Sequence, residues 1–345
     1  MIGMNLAVDF GSSNLTVFAE GKNIVISEPS VIVCDAFSGK PIAMGSEAAE
    51  MSGKLPLSMK VIHPIKDGII SDFDMACYML RTYMDKICYG KIFRPNVLMC
   101  VPSTVTSLEK KTIFDCMIAA GAGRACFVDQ ALAAAIGAGV SLSEPKGTFI
   151  CDIGGGTTDS AVVTMGNIAV SRSLKLGGND FSRSIKDYVF HEFGISIGDN
   201  EAEEIKITIG SAVLRNEEIS LISCGKSSVS SVPQYFEINS TAVYWTLKSH
   251  IESIENCIRS VLEITPPELS ADISDNGIIL TGGSSRIYGL DKYIERSTGL
   301  KTVRAYMPEN CSATGMGRIL KNMAYLEKNG YVFSSAEDEL DETDE

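Results

Sequence analysis

No apolar run in this sequence approaches the roughly 18–20 residues needed to cross a bilayer, and no basic stretch followed by an apolar one opens it. A spanning anchor and a secretory leader are not expected. Basic residues are in deficit: 30 Lys and Arg stand against 43 Asp and Glu, for a net charge of −13. That balance argues against sequence-independent binding to nucleic acid. The ten cysteines contain no Cys-x-x-Cys and no zinc spacing, and His63, His191 and His250 are isolated along the chain. A metal site built on Cys or His is therefore not expected. Cys34, after Val31-Ile32-Val33, and Cys100, after Leu98-Met99, sit among apolar residues and read as small buried hydrophobes in a reducing compartment. Also missing are a Gly-x-x-x-x-Gly-Lys-Ser/Thr loop and a Gly-x-Gly-x-x-Gly opening a helix after a strand, which removes the main support for P-loop and Rossmann folds.

Two short glycine-bearing segments are present instead. One is Val8-Asp9-Phe10-Gly11-Ser12-Ser13-Asn14; the other is Cys151-Asp152-Ile153-Gly154-Gly155-Gly156-Thr157-Thr158-Asp159. Each follows an apolar run that reads as a strand, places an aspartate at its end, turns through glycine and small hydroxylated residues, and enters a second β-rich run. Glycines let a backbone approach a ligand closely, and consecutive exposed N–H groups form a concave anion site. The aspartates would repel phosphate directly, so they make sense as holders of a divalent cation that neutralises it. One such turn is most often an ordinary hairpin. Its recurrence points to a duplicated α/β fold clamping a nucleotide between its halves.

At 345 residues the chain can hold two domains with proper cores. Apolar spacing predicts helices over 73–88, 107–120, 130–138, 178–193, 201–215 and 241–263, and strands at 96–101, 126–128, 148–175 (a hairpin) and 277–280. Ser103 to Thr106 can cap the helix over 107–120, and Gly121-Ala122-Gly123 stops it. Pro266-Pro267 ends another. A hinge is expected at 141–147. The last ten residues carry seven acids and no base, the pattern of a solvated, disordered tail. Thr281-Gly282-Gly283-Ser284-Ser285-Arg286 follows a strand and offers close approach to a flat ligand and free helix N–H groups.

With these segments placed, the chain resembles the MreB family of bacterial actin homologues, within the actin and heat-shock chaperone ATPase superfamily. The matching stretches include Glu28-Pro29-Ser30-Val31, His63-Pro64-Ile65-Lys66-Asp67-Gly68, Val101-Pro102-Ser103, Ala133-Ala134-Ala135-Ile136-Gly137, Asp152-Ile153-Gly154-Gly155-Gly156-Thr157-Thr158 and Leu280-Thr281-Gly282-Gly283. They run in family order over nearly the whole chain. The resemblance implies an actin-like ATPase fold, with two duplicated RNase H-like α/β domains around a central nucleotide cleft. Residues 1–143 would form the first domain, with 312–333 returning to it and 27–70 as a small insert. Residues 144–311 would form the second, and 334–345 the acidic tail.

Carried over by residue, the resemblance implies ATP and Mg²⁺ as cofactors. Asp9 and Asp152 would flank the metal, directly or through water. Gly11, Ser12, Ser13 and Asn14 would form one phosphate loop, and Gly154, Gly155, Gly156 and Thr157 the other. Glu203, Glu204 and Lys206 would lie near the adenosine, with Gly282, Gly283, Ser284 and Ser285 lining the base pocket. Asp9, Asp152, Thr157 and Gln130 would serve catalysis. Gln130 stands where the family has a glutamate that positions the attacking water; an amide cannot act as a general base but can orient water.

Family members form filaments on the inner face of the cell membrane and help organise wall synthesis. They reach the membrane through an apolar loop, an N-terminal amphipathic helix, or both. The opening residues here read as a strand. The expected contact is therefore the loop Tyr89 to Pro95, in which Lys91 and Arg94 flank Ile92 and Phe93. The implied partners are further copies of the chain, the membrane surface and membrane proteins of wall synthesis, with a cytoplasmic, membrane-peripheral location. Two other classes remain open at this stage: a non-polymerising ATPase switch controlling a partner protein, and a sugar or acid kinase on the same fold.

Overall fold

In a computed structural model, the described residues are 3–141 and 144–321. Two five-stranded mixed sheets organise them. The first runs Arg124–Asp129, Asn96–Val101, Asn5–Phe10, Asn14–Ala19, Asn23–Pro29 from edge to edge. The second runs Asn167–Leu174, Thr158–Thr164, Thr148–Ile153, Ile278–Thr281, Thr302–Arg304. In both, the first three strands in the chain form an antiparallel meander, and the last two join the opposite side of the first strand in parallel. The duplication read from two turns thus extends to whole sheets.

Local chemistry sets most element ends. The helix Phe73–Ile87 starts where the Asp72 carboxylate accepts from the Met75 N–H, and it buries Ala76, Cys77, Leu80 and Met84 as the spacing requires. Helix Ser107–Ala120 has a reciprocal cap. Thr106 accepts from the Glu109 N–H, Glu109 accepts from the Thr106 N–H, and the helix stops at left-handed Gly121. One expectation fails. The helix expected over 201–215 spans only Asp199–Ile209. Ser211 leaves it to bridge Tyr288, and the Ala212 N–H donates to the Tyr288 carbonyl. A tertiary pairing outcompetes the helical period there.

Several elements have no clear signature in the sequence, including the helices Pro267–Asn276 and Leu290–Thr298 and the sheet formed by Ile195–Ser196, Ser220–Ser227 and Pro233–Asn239. Another small sheet (Pro41–Met44, Ile32–Asp35, Met59–Ile62) lies within residues 27–70. The hinge expected at 141–147 falls partly, and the acidic tail wholly, outside the described residues. All ten cysteines are free, and only Cys88, Cys224 and Cys257 are less than fully buried.

Between the sheets lie two helices, the alanine-rich Gln130–Gly137 and Cys311–Leu320. They share one core with Ala7, Phe18 and Leu98 of the first sheet and Ile150, Ala161 and Val163 of the second. The helices meet backbone against backbone. A methyl on Gly315 would collide with the Ala133 carbonyl, and one on Gly137 with the Cys311 carbonyl. Gly315→Val should therefore cost about 3 kcal/mol or more, at the upper end for overpacking because backbone cannot yield as a side chain can. Gly198→Ala, at a negative φ with no atom within 4 Å, should change stability by less than about 1 kcal/mol. Denaturant midpoints for the two variants test the contrast, and equal shifts would refute it.

Candidate functional site

The two glycine turns face each other across a cleft of about 770 Å³. They have the same local construction: the Gly11 N–H donates to the Asn14 carbonyl at 2.9 Å, and the Gly154 N–H to the Thr157 carbonyl at 2.8 Å. Glycine is required where the turns touch. A methyl on Gly155 would strike the Ser13 hydroxyl, and one on Gly156 the Ser12 hydroxyl. Ser13 Oγ also donates to Asn179 Oδ1 at 2.9 Å, and the Gly68 N–H donates to Ser12 Oγ at 3.1 Å. Helix Gly178–Phe193 has its first N–H groups occupied, Gly178 by the Gly154 carbonyl and Asn179 by the Gly155 carbonyl. In contrast, the N–H groups of Ser12, Ser13, Gly155 and Gly156 donate to no acceptor among the described residues. Four unsatisfied donors on two opposed turns are a binding surface for an anion.

Aspartates stand at the ends of the two equivalent strands. Asp152 is 2 % exposed; its Oδ1 accepts from Thr281 Oγ1 at 2.7 Å and its Oδ2 from Gln130 Nε2 at 2.8 Å. Burial raises its pKa, and these two donors act against the rise. Asp9 lies beside the Cys100 thiol, which donates to Oδ1 at 3.4 Å. Burial pushes Asp9 up to about 7, and the Asp152 charge adds to the push. Asp159, the strand partner of Asp152, is fully buried; burial raises it to about 7, against the hydrogen bond from Ser173. Among the described residues no three Asp, Glu, Cys or His side chains converge as a metal cage.

Most of the residues named from the sequence meet in this cleft. Asp9, Gly11, Ser12, Ser13 and Asn14 line it from the first half, joined by Gln130. Asp152, Gly154, Gly155, Gly156 and Thr157 line it from the second, and Glu203, Lys206, Gly282, Gly283 and Ser284 complete the wall. Two residues lie elsewhere. Glu204 is exposed and does not line the cleft, because its neighbours Glu203 and Lys206, three apart, share the inward face of the helix. There Lys206 Nζ meets Glu203 Oε2 at 2.6 Å and the Gly178 carbonyl at 3.0 Å. Ser285 is buried, its hydroxyl turned back to the Gly282 carbonyl at 2.6 Å. The glycine turn after strand Ile278–Thr281 opens a 3₁₀ turn, Gly283–Arg286, rather than an α-helix. Arg215, Tyr288, Gly178 and Gly68 also line the cleft and lacked a local signal. Arg215 stacks on Tyr288 at 4.1 Å, a pairing of residues distant in sequence.

A duplicated α/β fold with two facing anion turns and an aspartate at each is that of an actin-like ATPase. The comparisons with known proteins agree. The family model described as "MreB/Mbl protein" matches residues 3–328. The cell shape-determining protein Mbl of Bacillus subtilis is 38 % identical over 331 residues, covering 95 % of this chain and 99 % of that protein. The cell shape-determining protein MreB of Escherichia coli K12 is 36 % identical over 327 residues, covering 93 % and 94 %. Among solved structures, MreB5 of Spiroplasma citri bound to AMPPNP superposes with a TM-score of 0.90 at 34 % identity, covering 96 % of this chain and 99 % of that one. The MamK double helical filament superposes at 0.78 with 21 % identity, covering 92 % and 98 %, a likeness of fold alone. The chain belongs to the MreB/Mbl family.

The raised carboxylates carry a stability consequence. Between about pH 4, where an unfolded aspartate releases its proton, and about pH 7, the folded state holds protons on Asp9 and Asp159 that the unfolded chain does not. Stability of the nucleotide-free protein should therefore fall as pH rises through that window. Asp9→Asn removes one of the two titrations and should flatten the slope. Denaturant midpoints at several pH values check this, and parallel curves for parent and variant would contradict it.

Proposed function

We propose that the chain is an ATP-binding and ATP-hydrolysing actin-like protein that assembles into membrane-associated filaments and helps determine cell shape by organising wall synthesis. The observation that carries the reading is the pair of facing turns with four unsatisfied N–H groups and an aspartate at each. The MreB5 relative has been solved with ADP and with AMPPNP, and the Mbl and MreB relatives are named for cell-shape determination.

Mg²⁺ fits the donor set. Two enclosed carboxylates, one of whose charges raises the proton affinity of the other, gain from a hard cation between them, and a small octahedral ion takes its remaining oxygens from water and phosphate. Asp9 and Asp152 would hold it, and it would neutralise the charge that develops in phosphoryl transfer. Gln130 would orient the attacking water, and Thr157 would hold the phosphate beside the second loop. Gly282, Gly283 and Ser284 would bound the base, with Glu203 and Lys206 on the opposite wall. As working boundaries we take residues 1–143 with 312–333, and 144–311, with 27–70 as an insert. Asp152→Ala should abolish magnesium-dependent nucleotide binding, measured by titration with a fluorescent ATP analogue. Unchanged affinity with Mg²⁺ present would defeat the assignment.

The membrane reading rests on the loop before strand Asn96–Val101. Ile92 is 92 % and Phe93 55 % exposed, so neither packs beneath the loop, and Lys91 and Arg94 flank them. No helix among the described residues is long and apolar enough to cross a membrane. Burying both side chains contributes about 3–5 kcal/mol, which is millimolar-grade binding for one subunit. A filament displaying many loops binds by avidity instead. The protein should pellet with ATP and Mg²⁺ and co-sediment with anionic liposomes. Ile92→Ser with Phe93→Ser should still pellet but leave the liposomes. Failure of the parent to pellet under any nucleotide would overturn the filament reading, and retained liposome binding in the double variant would overturn the loop.

A further inference from the structure

Thr281 opens the glycine turn read from the sequence but was given no role of its own there, and it does not line the cleft. It is the last residue of strand Ile278–Thr281 and is fully buried. Parallel register sets it directly beside Asp152, and its hydroxyl donates to Asp152 Oδ1 at 2.7 Å. The other carboxylate oxygen accepts from Gln130 Nε2 at 2.8 Å. Asp152 is therefore held from both sides, once from its own sheet and once from the helix Gln130–Gly137 between the sheets.

This chain of bonds fixes the amide of Gln130. An ionised carboxylate only accepts hydrogen bonds, so the NH₂ end must face Asp152. The opposite end, Oε1, takes no hydrogen bond from any described residue, and Gln130 lines the cleft. A carbonyl oxygen held in that way can accept a proton of a water and so aim its lone pair. Loss of the Thr281 hydroxyl would leave Asp152 free to turn about its last torsion, and the amide would lose its reference.

We propose that Thr281 is a positioning residue of nucleotide hydrolysis, acting through Asp152 to orient the water-directing amide of Gln130. The proposal rests on the reading of the cleft as a hydrolytic site. Thr281 also couples that amide to the far wall, because Gly282 and Gly283 follow it directly and line the cleft.

Thr281→Val keeps the shape and removes the donor. Nucleotide affinity should stay within about threefold of the parent, while turnover at saturating Mg²⁺ and ATP falls about tenfold, the scale of one lost hydrogen bond to a charged group. The loss should fall on turnover, with KM and the thermal midpoint close to those of the parent. A merely structural defect would weaken binding and lower the midpoint as well. Thr281→Ser should restore turnover. Thr281→Ala gives a second donorless variant should valine disturb the fold, and it should share the turnover loss. Added to Gln130→Ala, Thr281→Val should lower turnover by less than its effect alone. Parental turnover in the donorless variants, or fully multiplicative losses in the double variant, would overturn the proposal. A parent that binds Mg-ATP without turning it over would bring down the hydrolysis reading itself, before any variant is compared.

Discussion

Two stretches of backbone must lie almost in contact while their N–H groups stay unspent, and the rest of the architecture serves that requirement. A buried N–H is normally paired, so leaving four unpaired between Ser12 and Gly156 is costly unless a ligand or water completes them. The cost is tolerable only because the turns are rigidly backed. Each closes a hairpin at the centre of a five-stranded sheet, where neighbouring strands on both sides hold it. The helix Gly178–Phe193 docks its own N-terminus on the Gly154 and Gly155 carbonyls, which turns the N–H groups of the same two peptides, those of Gly155 and Gly156, away from it.

The electrostatics follow from the same closeness. Asp9, Asp152 and Asp159 are all enclosed, and among the described residues no cation lowers their pKa values; the buried lysine of the cleft, Lys206, is committed to Glu203 and Gly178. Without a ligand the folded protein answers by holding protons, which is the physical content of pKa values near 7. Binding of a cation–anion pair would replace those protons with charge that fits the cleft. The enclosure that raises these carboxylates would thus favour a polyanion that arrives with its own cation over one without.

Local features of the site were legible in sequence, and contacts between distant segments were not. The two hairpins, a cap within Ser103–Thr106 and the Gly121 stop are each written within a few residues, so pattern and capping chemistry found them; that Glu109 reciprocates the cap emerged only in the structure. Glu203 and Lys206 line the cleft and Glu204 does not, because adjacency in a motif ignores the roughly 100° between successive helical side chains. The helix end at Ile209 was missed because Tyr288, far along the chain, supplies the competing bridge. Gln130 lines the cleft, and its tie to Asp152 depends on how the interlayer helix meets the second sheet. Thr281 had no chemical signature of its own; only strand register puts its hydroxyl beside the carboxylate.

The shared core between the sheets bears on how the cleft can open. Helices Gln130–Gly137 and Cys311–Leu320 pack against both sheets, so the two halves cannot separate as independent bodies without exposing Ile150, Ala161, Leu98 and Phe18. Their tight glycine contacts leave little room for sliding. Relative motion of the sheets is consequently easiest as a bend about that pair. Away from that core the bonds between the halves include Ser13 to Asn179, Asn200 Nδ2 to the Ala49 carbonyl at 3.2 Å, and the exposed ion pair of Lys175 with Glu109. Such bonds exchange readily with water. The tie from Gln130 to Asp152 starts on one of those two helices, so it belongs to the part of the molecule that the shared core holds in place.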